Sequence, residues 1–515
     1  MIRRVGGGLG LVFLLAGTGV RGDTGLHHVF GDAVVTGSDP LSTVCLGVGI
    51  DLPDQERFRR LMEEVEAYRR PLLDAYDVPE SSWMAPPRGE MQAGVGDGVI
   101  TPPRGCPLAG YGDRLKTVPF SYHPFADPLY YSKLYKPSRG VHDDLHVKVV
   151  VLDNGSRRVA FVGIDSVGIT QLIFVDVVSR IQHLGLGRDD LIMGGSHSHG
   201  GNGDVADQFL WWLATTDLFD RRVYDPLIEV VVQAIEDAVA DLSPARIGVG
   251  ASDAAQGLVR NRRGDPVIDP ELAVIRVDDA EGAPRAVLFN MTVHGTMIGG
   301  GNLHFTGDCM GYAERHLEER LGPGTTAVFL NGCEGDISPS NQGGSDDWER
   351  ADLWGSAAAD VVGDVYDSIE TSDAVELGGA HVLVDLPAPY MRPGFFLEPP
   401  TPGNVAIPLG GLVEQERTNF SGIRIGDAAF VSMPGEAITQ IGLDIKAYGE
   451  SIGRPRTFVV GLANGHLGYM TTEEEYWQGG YESGATFFGP ETGSLMVDSA
   501  SRVLELLAAP ADRVD

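Results

Sequence analysis

The chain is 515 residues long and 43% hydrophobic, and its 39 basic against 72 acidic residues give a net charge of −33. That length and hydrophobic content suffice for a large buried core, in one big domain with additions or in two domains, and exclude a disordered chain. The acidic excess, unbroken by any Lys/Arg run longer than a pair, repels phosphate backbones and gains nothing from anionic lipid headgroups, which excludes nucleic acid as a partner.

The first residues, MIRRVGGGLGLVFLLAGTG, place basic residues before a short apolar stretch, the form of a signal peptide over 1–24, and predict a secreted or periplasmic protein. No later apolar run is long enough for a membrane span. Residues 25–91 read as an N-terminal extension. Within it, Phe58, Leu61, Met62, Val65, Leu72 and Leu73 recur at helical spacing and predict an amphipathic helix over 53–76, followed by a proline-rich linker over 78–90. Four cysteines, Cys45, Cys106, Cys309 and Cys333, match neither a disulfide framework nor a zinc cluster, although an exported chain has room for one or two bridges.

A single large domain is expected over 92–515, of α/β class with mixed sheets flanked by helices. RRVAFVGIDSVG reads as a buried strand, ITQLIFVDVVSRIQHLG as a helix with Ile173, Val177 and Ile181 on one face, and LIMGGSH as a second strand, which together make a βαβ unit with parallel strands. Further strands lie in AVLFNMTVHG, TTAVFLNGCEGD, DAAFVSMPGE and TFVVGLANGHLGY. Each runs directly into polar, glycine-containing residues. Ligands of α/β sheets sit at the carboxyl ends of strands, so chemistry is sought at these exits.

The first exit carries His197 and His199 inside GGSHSHGGNGD, two imidazoles on the same side of an extended backbone. Taken alone, such a pair is as compatible with a solvated loop as with a metal site. The other exits supply His294, Glu436 and Tyr469, and two imidazoles with a carboxylate suit zinc while leaving room for water. Arg260, Arg262 and Arg263 lie in VRNRRGDP, where one arginine could clamp an oxyanion. The run Glu473–Glu475 reads as a helix start, with Thr471–Glu474 or Thr472–Glu475 as the capping pair.

Taken in order and spacing, SHSHGGNGD, RNRR, VHGTMIGGGNLHFTGDCMGYAERHLE, FLNGCEGDISPSN, SMPGEAITQIG and GLANGHLGYMTTEEEYWQGGYESGATFFGPETG resemble the neutral/alkaline non-lysosomal ceramidase family, over residues 92 to 494. The resemblance implies a zinc-dependent amidohydrolase that uses metal-activated water to cleave the N-acyl bond of ceramide. It implies His197, His294, Glu436 and Tyr469 as Zn2+ ligands and His199 as the acid/base histidine, with Tyr481 and Arg262 beside a lipid or small-molecule N-acyl substrate. The chain departs from the family in four places. The serines implied before the GDxSPN motif are replaced by Asn331, Gly332, Cys333 and Glu334, of which Cys333 reads as an inert buried thiol. SGDNKG reads TGDCMG and keeps Asp308, His466 stands where a tyrosine is usual, and no C-terminal β-sandwich domain follows. These losses leave two alternatives open: a related metal hydrolase of another small amide or ester, and a secreted metal-containing binding protein without turnover. Glycine amides at GGNG or NGCEGD are available to hold an oxyanion. The loop 387–403 is a candidate lining for an acyl pocket.

Overall fold

The computed structural model describes residues 52–116, 129–391, 407–408 and 415–508. The signal-peptide segment 1–24, Cys45 and most of the loop 387–403 lie outside them. Among the described residues no helix is long and apolar enough to cross a membrane.

Two mixed sheets stack face to face with helices on both outer sides, the α/β class expected. The larger sheet has eight strands: β2 (Gln92–Val99), β3 (His146–Asp153), β4 (Arg158–Ile164), β5 (Leu191–Gly195), β6 (Ser243–Ser252), β7 (Leu272–Asp279), β8 (Pro284–Met291) and β9 (Thr326–Asn331). Their spatial order is β9-β8-β7-β6-β2-β3-β4-β5. The smaller sheet runs β1 (Glu80–Ala85), β10 (Leu377–Asp385), β11 (Arg417–Ile425), β12 (Ala428–Ser432) and β13 (Thr457–Val460) in that order. Within these two sheets parallel pairing is confined to β4 with β5, β8 with β9, and β12 with β13. These are the strand pairs whose exits carry the polar motifs.

Alternation along the strands explains the stacking. Val150, Leu152, Phe161, Ile192, Ile275 and Leu288 of the large sheet face Leu377, Ile423, Phe430 and Phe458 of the small one in a dry seam. The opposite face of the large sheet is covered by α2 (Gln171–Ile181), α3 (Arg221–Ala240), α4 (Asp308–Leu321) and α5 (Asp347–Ser368), and α6 (Thr439–Ser451) and α7 (Thr492–Ala508) cover the small sheet. Helix α2 joins β4 to β5 as the βαβ pattern predicts. It starts where the Thr170 hydroxyl accepts from Ile173 N at 3.4 Å, and it buries Ile173, Val177 and Ile181.

Helix α1 (Leu52–Ala75) occupies the predicted span and buries Phe58 and Val65, with Leu61, Met62, Leu72 and Leu73 half-buried against the core. The following segment is not a linker. Glu80–Ala85 pairs in antiparallel register with β10, from Glu80↔Val382 to Ala85↔Leu377, because the small sheet would otherwise expose the β10 edge. The prolines lie just outside the strand, where a missing N–H costs no ladder bond.

The large sheet curls until its two edges meet. Strand β9, at one end of the order, contacts β3, β4 and β5 at the other. Gly163 makes this approach possible, since a Cβ there would lie 2.8 Å from Val328 Cγ1 and 2.9 Å from Phe329 O. The exits of β5, β8 and β9 are thereby gathered at one place, above which β12 and β13 of the small sheet also end.

His381, fully buried in β10, has no hydrogen-bond partner on either ring nitrogen among the described residues. Burial, and secondarily the Arg188 charge, push its imidazole from 6.5 down to about 3. The unfolded chain takes up this proton below pH 6.5 while the native state does not, so the stabilisation is complete above that pH and is lost as the pH falls. The expected cost is about 1.4 kcal/mol per pH unit. His381→Leu should therefore flatten the acid limb, narrowing the loss between about pH 7 and about pH 5 by roughly 2 kcal/mol, as read from urea midpoints.

Candidate metal centre

His197 follows β5 directly, in a left-handed conformation with φ of 66° that turns its ring into the gathered exits. His294 follows β8, Glu436 follows β12, and Tyr469 follows β13, where Glu436 and Tyr469 pair in a short parallel ladder. All four side chains are buried and meet. His197 Nε2 lies 3.0 Å from His294 Nε2 and 3.3 Å from Glu436 Oε2, and the Tyr469 hydroxyl lies 3.5 Å from His294 Nε2.

The tautomers follow from the partners. Nδ1 of His197 donates to Val167 O at 2.6 Å and Nδ1 of His294 donates to Glu334 O at 3.2 Å, since a carbonyl can only accept. Both Nε2 atoms therefore face the centre as acceptors, beside a carboxylate. A single proton on His197 Nε2 can serve only one of its neighbours, whereas a divalent cation serves them all, so the donor set fits a metal ion. Ligand atoms of His197, His294, Glu334 and Glu436 lie within 4.8 Å of one another, as do those of His197, His199 and His294.

Electrostatics favour the same state. Burial opposes a charge on Glu436, but the imidazoles of His197 and His466 and a hydrogen bond from Tyr469 outweigh it and hold its carboxyl down to about 2. Burial, reinforced by the positive field of Arg262 and, for His199, Arg114, drives His294 and His199 well below the usual imidazole range, so both are neutral at physiological pH. His199 Nε2 lies 3.2 Å from His197 Nε2 and its buried Nδ1 has no partner among the described residues. Its ring lies over Gly110, which has φ of 97° and whose Cβ, were one present, would sit 2.4 Å from His199 Cγ.

Arg262 reaches the centre, donating to the Tyr469 hydroxyl at 3.0 Å and to Glu482 Oε1 at 2.9 Å, with Nη1 3.4 Å from His294 Nε2. Arg263 takes the other oxygen of Glu482 at 3.1 Å, while Arg260 is exposed in a short ladder with Ser338. Tyr481 stands at the mouth, half-exposed, its ring centroid 5.3 Å from that of Tyr469. His466 Nδ1 accepts from Gly468 N at 3.1 Å and directs Nε2 towards Glu436 Oε1, 3.9 Å away. The capping pair is Thr472 with Glu475, whose N–H donates to the threonine hydroxyl at 3.3 Å. A cavity of about 260 Å³ opens from the centre between Val167, Leu210, Trp211, Leu213, Ala485 and Phe487.

Two residues escaped the sequence reading. Asn331 ends β9 and its amide donates to Val293 O at 2.8 Å and Ser196 O at 3.2 Å while accepting from Val293 N at 3.1 Å, which ties together the residues preceding His197 and His294. Glu334 joins the converging set. Cys333, between them, turns its thiol away against Gly442 of α6, where burial raises it well above the usual thiol range. Cys106, Cys309 and Cys333 are all buried free thiols, so no bridge joins any two of them. Asp308, in the TGDCMG segment, accepts from Ile298 N at 3.1 Å and so pins the loop that follows His294.

A sequence model described as neutral/alkaline non-lysosomal ceramidase, N-terminal, matches residues 129–360 and 404–498, more than half of the chain. Neutral ceramidase B of Dictyostelium discoideum is 24% identical over 497 residues, covering 72% of this chain and 68% of that protein. Neutral ceramidase of Pseudomonas aeruginosa is 23% identical over 474 residues, covering 73% and 69%. The chain thus spans about two thirds of the length of these relatives. The crystal structure of neutral ceramidase from P. aeruginosa has the same fold, with a TM-score of 0.66 at 21% identity over 81% of this chain and 75% of that one. A ceramidase complexed with C2 gives 0.64 at 20% identity, over 83% and 77%.

Truncating Asn331 to alanine should strand the peptide groups of Val293 and Ser196 in a dry site, at about 1–3 kcal/mol for each group left unpaired. Asn331→Ala is therefore expected to lower the urea midpoint and to weaken metal retention on gel filtration, as the two histidine loops are no longer held together.

Proposed function

Because the chain belongs to the neutral/alkaline non-lysosomal ceramidase family, we propose that it hydrolyses the amide bond of a ceramide-like N-acyl sphingolipid to a fatty acid and a sphingoid amine. One observation carries this reading: the acceptors of His197, His294 and Glu436 converge at the floor of an apolar cavity. His197, His294, Glu436 and Tyr469 would hold a divalent ion there, zinc by the character of the donors, which would supply Lewis-acid polarisation of the carbonyl and a more acidic water.

The chain's own residues provide the rest. Arg262, fixed by Glu482 and Tyr469, sets a positive charge beside His294, where charge developing on the carbonyl oxygen is stabilised without reorganisation. His199, neutral and buried at the centre, takes a proton as general base and returns it to the departing nitrogen. The walls of Leu210, Trp211, Leu213 and Phe487 hold the acyl chain and exclude water. Tyr481 lines the mouth, where the polar headgroup sits.

The cavity volume favours a second reading for the same chemistry. At about 260 Å³ it lies just below the roughly 300–1,000 Å³ typical of ligand pockets, so a short N-acyl amide or ester fits it as well as one arm of a ceramide.

A panel of N-acyl sphingosines of increasing chain length, set beside short amides and esters, separates the readings. Each buried methylene contributes about 0.8 kcal/mol, so kcat/KM should rise roughly tenfold per two carbons until the cavity is full and then level off. A flat profile with faster turnover of short esters favours the second reading, and no turnover of any acyl substrate by the metal-loaded protein identifies a binding protein. Chelation should abolish activity and lower Tm, and added zinc should restore both.

A further inference from the structure

Glu334 is fully buried, and neither of its carboxylate oxygens has a hydrogen-bond partner among the described residues. Burial, and after it the Glu436 charge, push its carboxyl well above the usual carboxylate range as long as no cation is bound. Arg262 is near but committed, to Glu482, the Tyr469 hydroxyl, Gly335 O and His294. A carboxylate stripped of water and left unpaired costs several kcal/mol, and its neighbours here offer no relief except at the centre itself. There, a Glu334 oxygen lies within 4.8 Å of the ligand atoms of His197, His294 and Glu436.

The site is also closed around this side chain. Gly461 backs it so tightly that an added Cβ would come within 3.1 Å of Glu334 Oε2 and 1.8 Å of Gly332 O, which leaves the carboxylate little room to turn elsewhere. Charge balance points the same way. With Glu436 alone, a divalent ion keeps one uncompensated positive charge, and Arg262 and Arg263 sharing one Glu482 leave another. A second carboxylate removes one of the two.

We propose that Glu334 is a further ligand of the divalent ion, bound directly through a carboxylate oxygen alongside His197, His294 and Glu436. The inference rests on the metal reading of the centre above. The segment that lacks the family's serines thereby contributes a hard, anionic oxygen instead, and the donor set becomes two imidazoles and two carboxylates beside the Tyr469 hydroxyl.

The test uses the full chain stripped of metal. Zinc affinity is measured by competition with a chromophoric chelator, and the coordination by the visible spectrum of the cobalt-loaded protein, for wild type, Glu334→Gln and Glu334→Leu. Loss of the carboxylate should weaken zinc binding by at least about tenfold and change the intensity and position of the cobalt bands. Glu334→Leu fills the space without a polar atom, so it keeps the test open if the glutamine variant does not fold. An unchanged cobalt spectrum in the variants overturns direct ligation whatever the affinity, while leaving the metal centre standing. A wild-type chain that binds neither zinc nor cobalt overturns both this proposal and the metal reading on which it rests.

Discussion

The side chain of Asn331 holds this architecture closed. Its amide reaches Val293 and Ser196, while its backbone carbonyl accepts from Gly461 N at 2.9 Å, so one residue binds the exits of β5, β8 and β13 to the end of β9. Ladder hydrogen bonds cannot do this, because β5 and β9 are the opposite edges of one sheet. Neighbouring Asn290 repeats the device, donating to Leu330 O at 3.0 Å and Val459 O at 3.1 Å. Buried amides with several partners fix position better than apolar packing does, since each displaced partner would be left unpaired. The convergence of His197 and His294 is thus a property of the curled sheet and its amide clamps more than of the histidine loops themselves.

Gathering acceptors in this way stores repulsion. Two imidazole lone pairs and a carboxylate meet in a site that water does not relieve, and the hydrogens that could have separated them are drawn off to Val167 O and Glu334 O on the far sides of the rings. The surrounding fold, and not the centre, bears this cost, which is the usual signature of a site organised for something positive to bind. The chain as a whole carries the same bias, with a net charge of −33, while Arg262 and Arg263 are kept at the centre and paired with Glu482.

Much of this was legible in the sequence. The βαβ unit, the amphipathic first helix, the strand exits and the capping pair at Thr472 follow from periodicity and local turn chemistry, which act over a few residues. The family pattern drew His197, His294, Glu436 and Tyr469 into one set, and all four meet. The curl of the large sheet was not legible, because it depends on contacts between β9 and β3–β5 across more than 130 positions and on a glycine, Gly163, whose importance shows only once Phe329 lies against it. The stretch 78–90 read as a linker because prolines flank it, but the open edge of β10 recruited Glu80–Ala85. Asn331 and Glu334 were weighed only as lost serines. What they supply, a clamp and a carboxylate, depends on neighbours that are distant in sequence.

The first helix reaches further than its place in the chain suggests. Arg69, buried in α1, donates to Asp207 at 3.3 Å, and the Phe58 ring meets that of Phe209 edge-on at 6.0 Å. Both partners belong to the segment 205–216, whose Leu210, Trp211 and Leu213 wall the apolar cavity. A chain clipped just after Ala75 would retain both sheets and every polar group at the centre but lose the buttress behind that wall. On the proposed reading of the cavity, such a cut would blunt discrimination between tails of different length while sparing bond cleavage, so that selectivity and chemistry would separate at a point remote from either.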